Sequence, residues 1–268
     1  KGTALTAFQV AGFRSAVAAL ALVLLLPAAR RGFGLDLLPA AVAYAGTLVC
    51  FVLATKLTTS AAAIFLQSTA PIWILLLAPL LLTEPIRLAD LPAVGLAAVG
   101  LALVFLGSRD AAATAPRPEL GNLFALASGL FYALMMVTMR RLSRDAGPGN
   151  DRSLAATVLG NALAFVATLP LALPVTAIRS ADVAAILYLG VVQIGLAYWL
   201  FARGLQRLPA LEVSLLVLLE PVLNPLWTWL SAGERPSALA SAGGALMIVA
   251  LAARVLLQRG PSPPPIPD

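Results

Sequence analysis

Residues 66–84 read LQSTAPIWILLLAPLLLTE, and residues 216–234, at an offset of 150, read LVLLEPVLNPLWTWLSAGE. Leu66, Pro71, Leu76, Leu80 and Glu84 fall on Leu216, Pro221, Leu226, Leu230 and Glu234. Leucine on leucine is expected by chance in a chain that is 60% hydrophobic. A proline inside an apolar run, followed thirteen residues later by a glutamate, twice at one offset, marks an internal repeat. The same offset carries Phe51, Leu96, Val99 and Leu101 onto Phe201, Leu246, Val249 and Leu251. At an offset of 143, Leu20-Ala21-Leu22-Val23 and Leu26-Pro27 fall on Leu163-Ala164-Phe165-Val166 and Leu169-Pro170.

What repeats is a set of membrane helices. Sixty per cent hydrophobic residues against 11% charged, with a mean hydropathy of +0.94, leaves too little polarity to cover a soluble core. A hydrocarbon layer of about 30 Å takes about 20 apolar residues per helix. Runs bounded by charges, Pro and Gly give nine spans: 5–29, 36–56, 60–82, 89–107, 120–141, 153–173, 182–204, 210–231 and 237–257. A β-barrel would alternate polar and apolar residues, whereas these runs are continuous and rich in Ala and Leu. Other classes fall away as well. Cys50 is the only cysteine, so no internal disulfide forms, and the absence of histidine removes the commonest metal ligand and general base. Neither a metal nor a cofactor is expected, and the chain does not read as an enzyme. The net charge of +6 is scattered singly or in pairs between apolar runs, which is a topology signal and not a nucleic-acid surface.

Spans one to four repeat as spans six to nine, leaving 120–141 without a counterpart. The repeat therefore calls for a tenth, N-terminal span, with a natural nine-span chain as the alternative. Arg30, Arg31, Arg87, Arg140, Arg141, Arg144, Arg152, Arg203, Arg207, Arg254 and Arg259 lie on one side. Lys1, Lys56, Arg109, Arg117, Arg179 and Arg235 lie on the other, and Arg14 lies within a span. The richer side is cytoplasmic by the positive-inside rule, which places the C-terminus inside. A five-helix unit returns to the opposite face, so the two copies are inverted. Inverted repeats are built for alternating access around a site near the midplane. The expected fold is an all-α polytopic membrane protein of two inverted five-helix repeats, nine helices present and the first missing. Residues 1–108 hold the first repeat and 119–258 the second; 259–268 form a disordered Pro-rich tail.

A charge at the centre of a span costs roughly 2.5–3.5 kcal/mol on insertion scales, so the intramembrane polar residues are the candidate site. Asp36, Asp90, Glu119 and Asp182 sit at helix starts, where the positive end of the helix dipole favours them, and Glu212 lies in a first turn. Glu220, ten residues into its span, has no such account. It is a protonatable coupling site, a counter-charge for a cationic substrate group, or a buried partner of Arg14. Arg14 itself is that partner, a ligand for a substrate carboxylate, or a side chain reaching the outer interface. Asn224 and Trp227 share the helical face of Glu220, and the repeat carries Val217 onto Gln67, which then faces the same cavity. Pro71 and Pro221 interrupt corresponding spans and are the candidate hinges. Ser128 and Tyr132, Asn161, and Gln193, Tyr198 and Trp199 add hydrogen-bonding groups and aromatic faces on three further spans. Interhelical hydrogen bonding is the plainer account of each; together they suit a zwitterion with an apolar or aromatic side chain. Small residues four apart, Gly12/Ala16, Ala41/Ala45 and Ala240/Gly244, are packing seams, either within the chain or between copies, so monomer and homodimer both stay open.

The segments Ala70-Pro71-Ile72-Trp73 through Thr83-Glu84 and Glu220-Pro221-Val222-Leu223 through Gly233-Glu234 resemble the paired signature of EamA-type carriers of the drug/metabolite transporter superfamily. Each is followed by a Gly/Ala-rich span, with Ala93-Val94-Gly95 and Ala242-Gly243-Gly244. Phe13-Arg14 resembles the arginine of that family's second helix, and Leu57-Thr58-Thr59-Ser60-Ala61-Ala62 its third-to-fourth loop. The resemblance implies ten helices in two inverted repeats and export of small metabolites across a bacterial inner membrane; within the family, the YddG-like amino-acid exporters are the expected branch, though no residue is diagnostic of it.

The leading expectation is a secondary transporter for amino acids or similar small molecules, its partners being the bilayer and a small-molecule substrate. Carriers of cationic drugs or of sugar nucleotides are the alternatives within the class. A lipid-modifying intramembrane enzyme or a non-transporting scaffold are the alternatives outside it.

Overall fold

The computed structural model describes residues 5–82, 88–107, 116–145, 152–175, 178–223 and 237–257. Among them the chain is all-helical, without strands. The helices are α1 (Ala7–Leu25), α2 (Leu38–Leu57), α3 (Ser60–Gln67), α4 (Ala70–Leu81), α5 (Leu91–Leu106), α6 (Pro118–Asp145) and α7 (Arg152–Ala172). They continue with α8 (Ser180–Tyr188), a π-helical segment (Leu189–Leu196), α9 (Ala197–Arg207), α10 (Ala210–Val217) and α11 (Ala238–Leu257), and residues 219–223 are also helical. Among the described residues six segments are long and apolar enough to cross a membrane: 7–25, 35–57, 62–81, 118–144, 152–172 and 180–207. Residues 91–106 and 238–253 form shorter apolar helices. Eight of the nine spans read from hydropathy coincide with these within a few residues; the other, 210–231, is described to residue 223, as α10 and the helical residues 219–223. Its remainder and the Pro-rich tail lie outside the described residues.

Two compact units emerge, residues 1–85 with 111–214, and residues 86–110 with 215–268, the boundary falling within α10. In the first, α2 is central, packed most extensively on α6 and next on α7, while α7 also packs along α1. Small residues make this approach possible: Ala40, Ala41, Ala43 and Ala54 on α2 and Ala155, Ala156 and Ala164 on α7 are all buried. Polar ties close the helix ends. Thr6 and Gln9 form a reciprocal capping box at the start of α1 (Gln9 N–H to Thr6 Oγ1 3.3 Å, Thr6 N–H to Gln9 Oε1 2.9 Å). Gln9 Nε2 then donates to the carbonyl of Ala172 at 2.9 Å, fixing that end to the end of α7.

The arginines grouped on one side by the charge count do meet neighbouring helix ends. Arg152 donates to Asp36 Oδ1 at 2.6 Å, Arg140 to the Leu205 carbonyl at 2.7 Å, and Arg144 to the Leu82 carbonyl at 2.8 Å. Arg30 donates to the carbonyls of Val23 and Leu24, at the end of α1. Each carbonyl is one that a terminating helix leaves without an intrahelical partner, so the cations cap helices as well as mark a side.

Two interruptions are relevant to the sequence expectation about Pro71 and Pro221. The break between α3 and α4 falls at Ser68 and Thr69, so Pro71 stands in the first turn of α4, where it has no helical hydrogen bond to lose. A turn at Leu218 likewise separates α10 from the helical residues that contain Pro221. Ser68 and Leu218 are equivalent under the offset of 150, so the helices are interrupted at the same point of the repeat, just before each proline.

In the second unit α5 and α11 meet backbone to backbone. A Cβ on Gly100 would lie 2.7 Å from the Gly243 carbonyl oxygen, and one on Gly243 would lie 2.5 Å from that of Gly100. Ser237 caps this seam, accepting from Ala240 N–H at 3.1 Å and donating to the Gly107 carbonyl at 3.0 Å. The small-residue spacing around Ala240 and Gly244 is thus a seam within the chain. Gly243→Val is expected to cost about 1–3 kcal/mol by forcing these backbones apart. Gly95→Ala, whose new methyl meets nothing within 4 Å, is expected to be neutral; melting of the purified protein in detergent checks both.

Candidate functional site

Arg14, Tyr44 and Asn161 stand well inside α1, α2 and α7, and Tyr198 stands in the first turn of α9. Tyr44 and Asn161 are fully buried, and Asn161 Nδ2 donates to Tyr44 Oη at 2.9 Å and to the Thr157 carbonyl at 3.0 Å. Tyr44 reaches this depth because it lies on Gly160, where a Cβ would come within 2.7 Å of its ring. Arg14 is close enough to Tyr44 and Tyr198 to interact with both electrostatically. Its helix approaches the π-helical segment through Gly190, where a Cβ would come within 2.8 Å of the Arg14 carbonyl oxygen. A π-helical turn is rare and often accompanies function, and here it occurs beside the arginine.

Two polar atoms in this cluster are buried without a hydrogen-bond partner: Arg14 Nε and Asn161 Oδ1. An unmet buried donor or acceptor costs about 1–3 kcal/mol, and more where charge is involved. Among the described residues of this unit no carboxylate pairs with Arg14, so the pairing that would offset its burial is not made within the unit. Such atoms are where a ligand gains most from binding.

Aromatic rings bound the cluster. Tyr44 meets Tyr198 edge to face at 4.7 Å between centroids, Tyr198 meets Phe201 at 5.7 Å, and Phe201 stacks on Tyr132 at 6.3 Å. They form an apolar and polarisable wall with hydroxyl groups on it. A further polar chain ties helices together: Gln67 Nε2 donates to Ser128 Oγ at 2.8 Å, which donates to the Thr47 carbonyl at 3.0 Å. It ties the broken end of α3 to α6 and α2. An apolar cavity of about 290 Å³ between α1 and the π segment, lined among others by Leu25, Val191, Leu196 and Trp199, offers no polar group to a solute.

Of the residues singled out from sequence, Arg14, Tyr132, Asn161 and Tyr198 come together. Gln67 is engaged by Ser128, in an interhelical hydrogen bond. Gln193 is exposed on the π segment, and Trp199 carries Arg203 over its ring at 4.3 Å. Glu220 belongs to the second unit, where its side chain is exposed. Asn224 and Trp227 lie outside the described residues. Sequence reasoning passed over Tyr44 and Phe201. Tyr44 carried a signal: it is one of four tyrosines and sits well inside a span, away from the interfacial belts that tyrosine favours. No group of three His, Cys, Asp or Glu suited to a metal occurs among the described residues.

A multi-pass helical protein that keeps an arginine among tyrosines well inside a span, beside a π-helical turn, and that interrupts another of its helices, has the features of a membrane carrier. The comparisons give the family. The profile of the EamA-like transporter family matches residues 2–106 and 119–255, and the chain belongs to that family. It is similar to an uncharacterized transporter of Haemophilus influenzae, 27% identical over 144 residues, covering 52% of this chain and 82% of that one. A protein of known crystal structure superposes with a TM-score of 0.77 over 96% of this chain and 89% of its own, at 20% identity, a likeness of fold.

If Arg14 is kept for a ligand and not for stability, Arg14→Leu is expected to leave the melting temperature unchanged or raised while transport falls about tenfold or more. Melting and transport measured on the same preparation check this, and a large drop in melting temperature would mark a structural arginine instead.

Proposed function

We propose that this transporter exports neutral or aromatic amino acids, or similar small metabolites, across a bacterial inner membrane by alternating access. The observation that carries the reading is the guanidinium of Arg14, held at mid-span among tyrosines with Nε unpartnered. A carboxylate is the group that such a cation recognises best, through paired charge-assisted hydrogen bonds. The rings of Tyr44, Tyr132, Tyr198 and Phe201 suit an apolar or aromatic side chain, and a single intramembrane arginine is too little charge for a sugar nucleotide.

Alternating access arises from rocking of the two repeats, 1–108 and 119–258, about the interruptions at Ser68–Thr69 and Leu218, with Pro71 and Pro221 keeping those points from closing into continuous helix. Glu220 is the coupling group, taking up and releasing a proton as its side chain exchanges between environments; Asn224, Trp227, Gln67 and Gln193 are secondary ligands along the path. The excess of arginine on one side places the C-terminus in the cytoplasm.

The test is counterflow in proteoliposomes of the full chain, using labelled phenylalanine, tryptophan and leucine beside cationic dyes and sugar nucleotides. Counterflow of at least one amino acid is expected, and its absence for all of them overturns the reading. Glu220→Gln is expected to keep counterflow, which needs no net proton movement, and to lose accumulation driven by an imposed pH gradient. Unchanged gradient-driven accumulation places coupling elsewhere.

A further inference from the structure

We infer that the Arg14 cluster is a polarised zwitterion site in which the substrate carboxylate binds Arg14 and the hydroxyl hydrogen of Tyr44, and the substrate ammonium binds Asn161 Oδ1. The inference rests on the proposed reading of this cluster as the substrate site, and adds to it which atom takes which end of the substrate.

The polarity follows from one backbone carbonyl. The oxygen of Thr157 can only accept, so the Asn161 amide atom 3.0 Å from it is Nδ2 and not Oδ1. The amide orientation is thereby set. The other hydrogen of Nδ2 goes to Tyr44 Oη at 2.9 Å, which uses both of the amide donors and leaves Oδ1 as a buried acceptor with no partner. Tyr44 Oη, having accepted, keeps its own hydrogen to donate elsewhere. Arg14, which has donors and no acceptor, interacts electrostatically with the same tyrosine and has Nε unpartnered.

Asn161 Oδ1 thus lies as an acceptor beside the hydroxyl donor of Tyr44, with the donors of Arg14 near enough to interact with that tyrosine electrostatically. A simple anion satisfies Arg14 and Tyr44 but sets negative charge against Asn161 Oδ1. A simple cation satisfies Oδ1 but faces Arg14. A molecule with a carboxylate and an ammonium one carbon apart satisfies all three, and an α-amino acid is the smallest such chemistry. The edges and faces of Tyr198 and Phe201 then flank its side chain and add a cation–π contribution to the ammonium. Asn161 is fully buried here whereas Arg14 and Tyr198 are partly exposed, so the ligand reaches the acceptor last, past the arginine.

The experiment is competition binding on the purified full chain in nanodiscs, with labelled L-phenylalanine displaced by L-phenylalanine, N-acetyl-L-phenylalanine, which lacks the ammonium, or phenethylamine, which lacks the carboxylate. For the wild type each analogue is expected to bind about tenfold more weakly than phenylalanine, the size of one lost charge-assisted hydrogen bond. Asn161→Leu is expected to weaken phenylalanine to the level of the N-acetyl analogue while leaving that analogue unchanged. Tyr44→Phe, which keeps the ring and its packing, is expected to weaken phenylalanine and leave phenethylamine unchanged. Equal binding of phenylalanine and the N-acetyl analogue by the wild type overturns the inference without any variant, as does an Asn161→Leu protein that loses both alike. A wild type that binds and transports no amino acid defeats the proposed function itself, and the two failures are told apart by whether phenylalanine binds at all.

Discussion

Hydrocarbon offers no hydrogen-bond partner, so each backbone N–H and C=O in a span must be satisfied by the protein itself. Much of this structure follows from that constraint. It makes the chain helical, and it makes helix ends and interruptions the places where polar side chains are spent. Arg30, Arg140 and Arg144 each donate to carbonyls at the last turn of a helix, and Thr59 accepts from Ala62 N–H to start α3. At the break before α4, Thr69 Oγ1 donates to the Leu66 carbonyl at 2.6 Å, covering a group that the interrupted helix releases. A discontinuous helix is tolerable at this depth because its freed backbone groups stay paired.

The same constraint explains why the Arg14 cluster stands out. Several buried polar side chains of the first unit are matched, Thr47, Thr157 and Thr168 returning their hydroxyls to carbonyls one turn earlier and Ser128 linking Gln67 to α2, whereas Ser15 Oγ and Trp73 Nε1 are not. Arg14 Nε and Asn161 Oδ1 are not matched either; Asn161 bonds Tyr44, and Arg14 interacts with the same tyrosine electrostatically. Packing holds them in that relation. Gly160 lets Tyr44 press against α7 one residue before Asn161, and Gly190 lets the π segment press against α1 beside Arg14. The two glycines set how near the helices come, and the distance between helices sets which polar atoms meet.

Some of the site was legible residue by residue. Tyr132, Asn161 and Tyr198 are legible as hydrogen-bonding or aromatic residues within apolar runs, for which interhelical hydrogen bonding is the plainer account, and Arg14 as an intramembrane charge that needs a partner, a ligand or a way to the interface. Gln193 drew the same attention and proves exposed. The helix there is π-wound from Leu189 to Leu196, so a face extrapolated at the α-helical period does not carry through it. Tyr44 was missed because it repeats nothing: neither offset brings another tyrosine onto it. Its role comes from a neighbour on a helix more than a hundred residues away.

The sequence by itself determined that the chain is a bundle of membrane helices with an internal repeat, where most of the apolar spans lie, and that Pro71 and Pro221 recur at equivalent points of the repeat. These are properties of composition and local spacing, and a bilayer reads them directly as length and hydropathy. The tertiary structure alone decided which polar residues form a site. Contact between α1, α2, α7 and α9 depends on interhelical distance, set by glycines and alanines whose identity is common throughout the chain. Hydrogen-bond polarity at Asn161 depends on the Thr157 carbonyl and the Tyr44 hydroxyl together, and no spacing along the chain encodes that meeting.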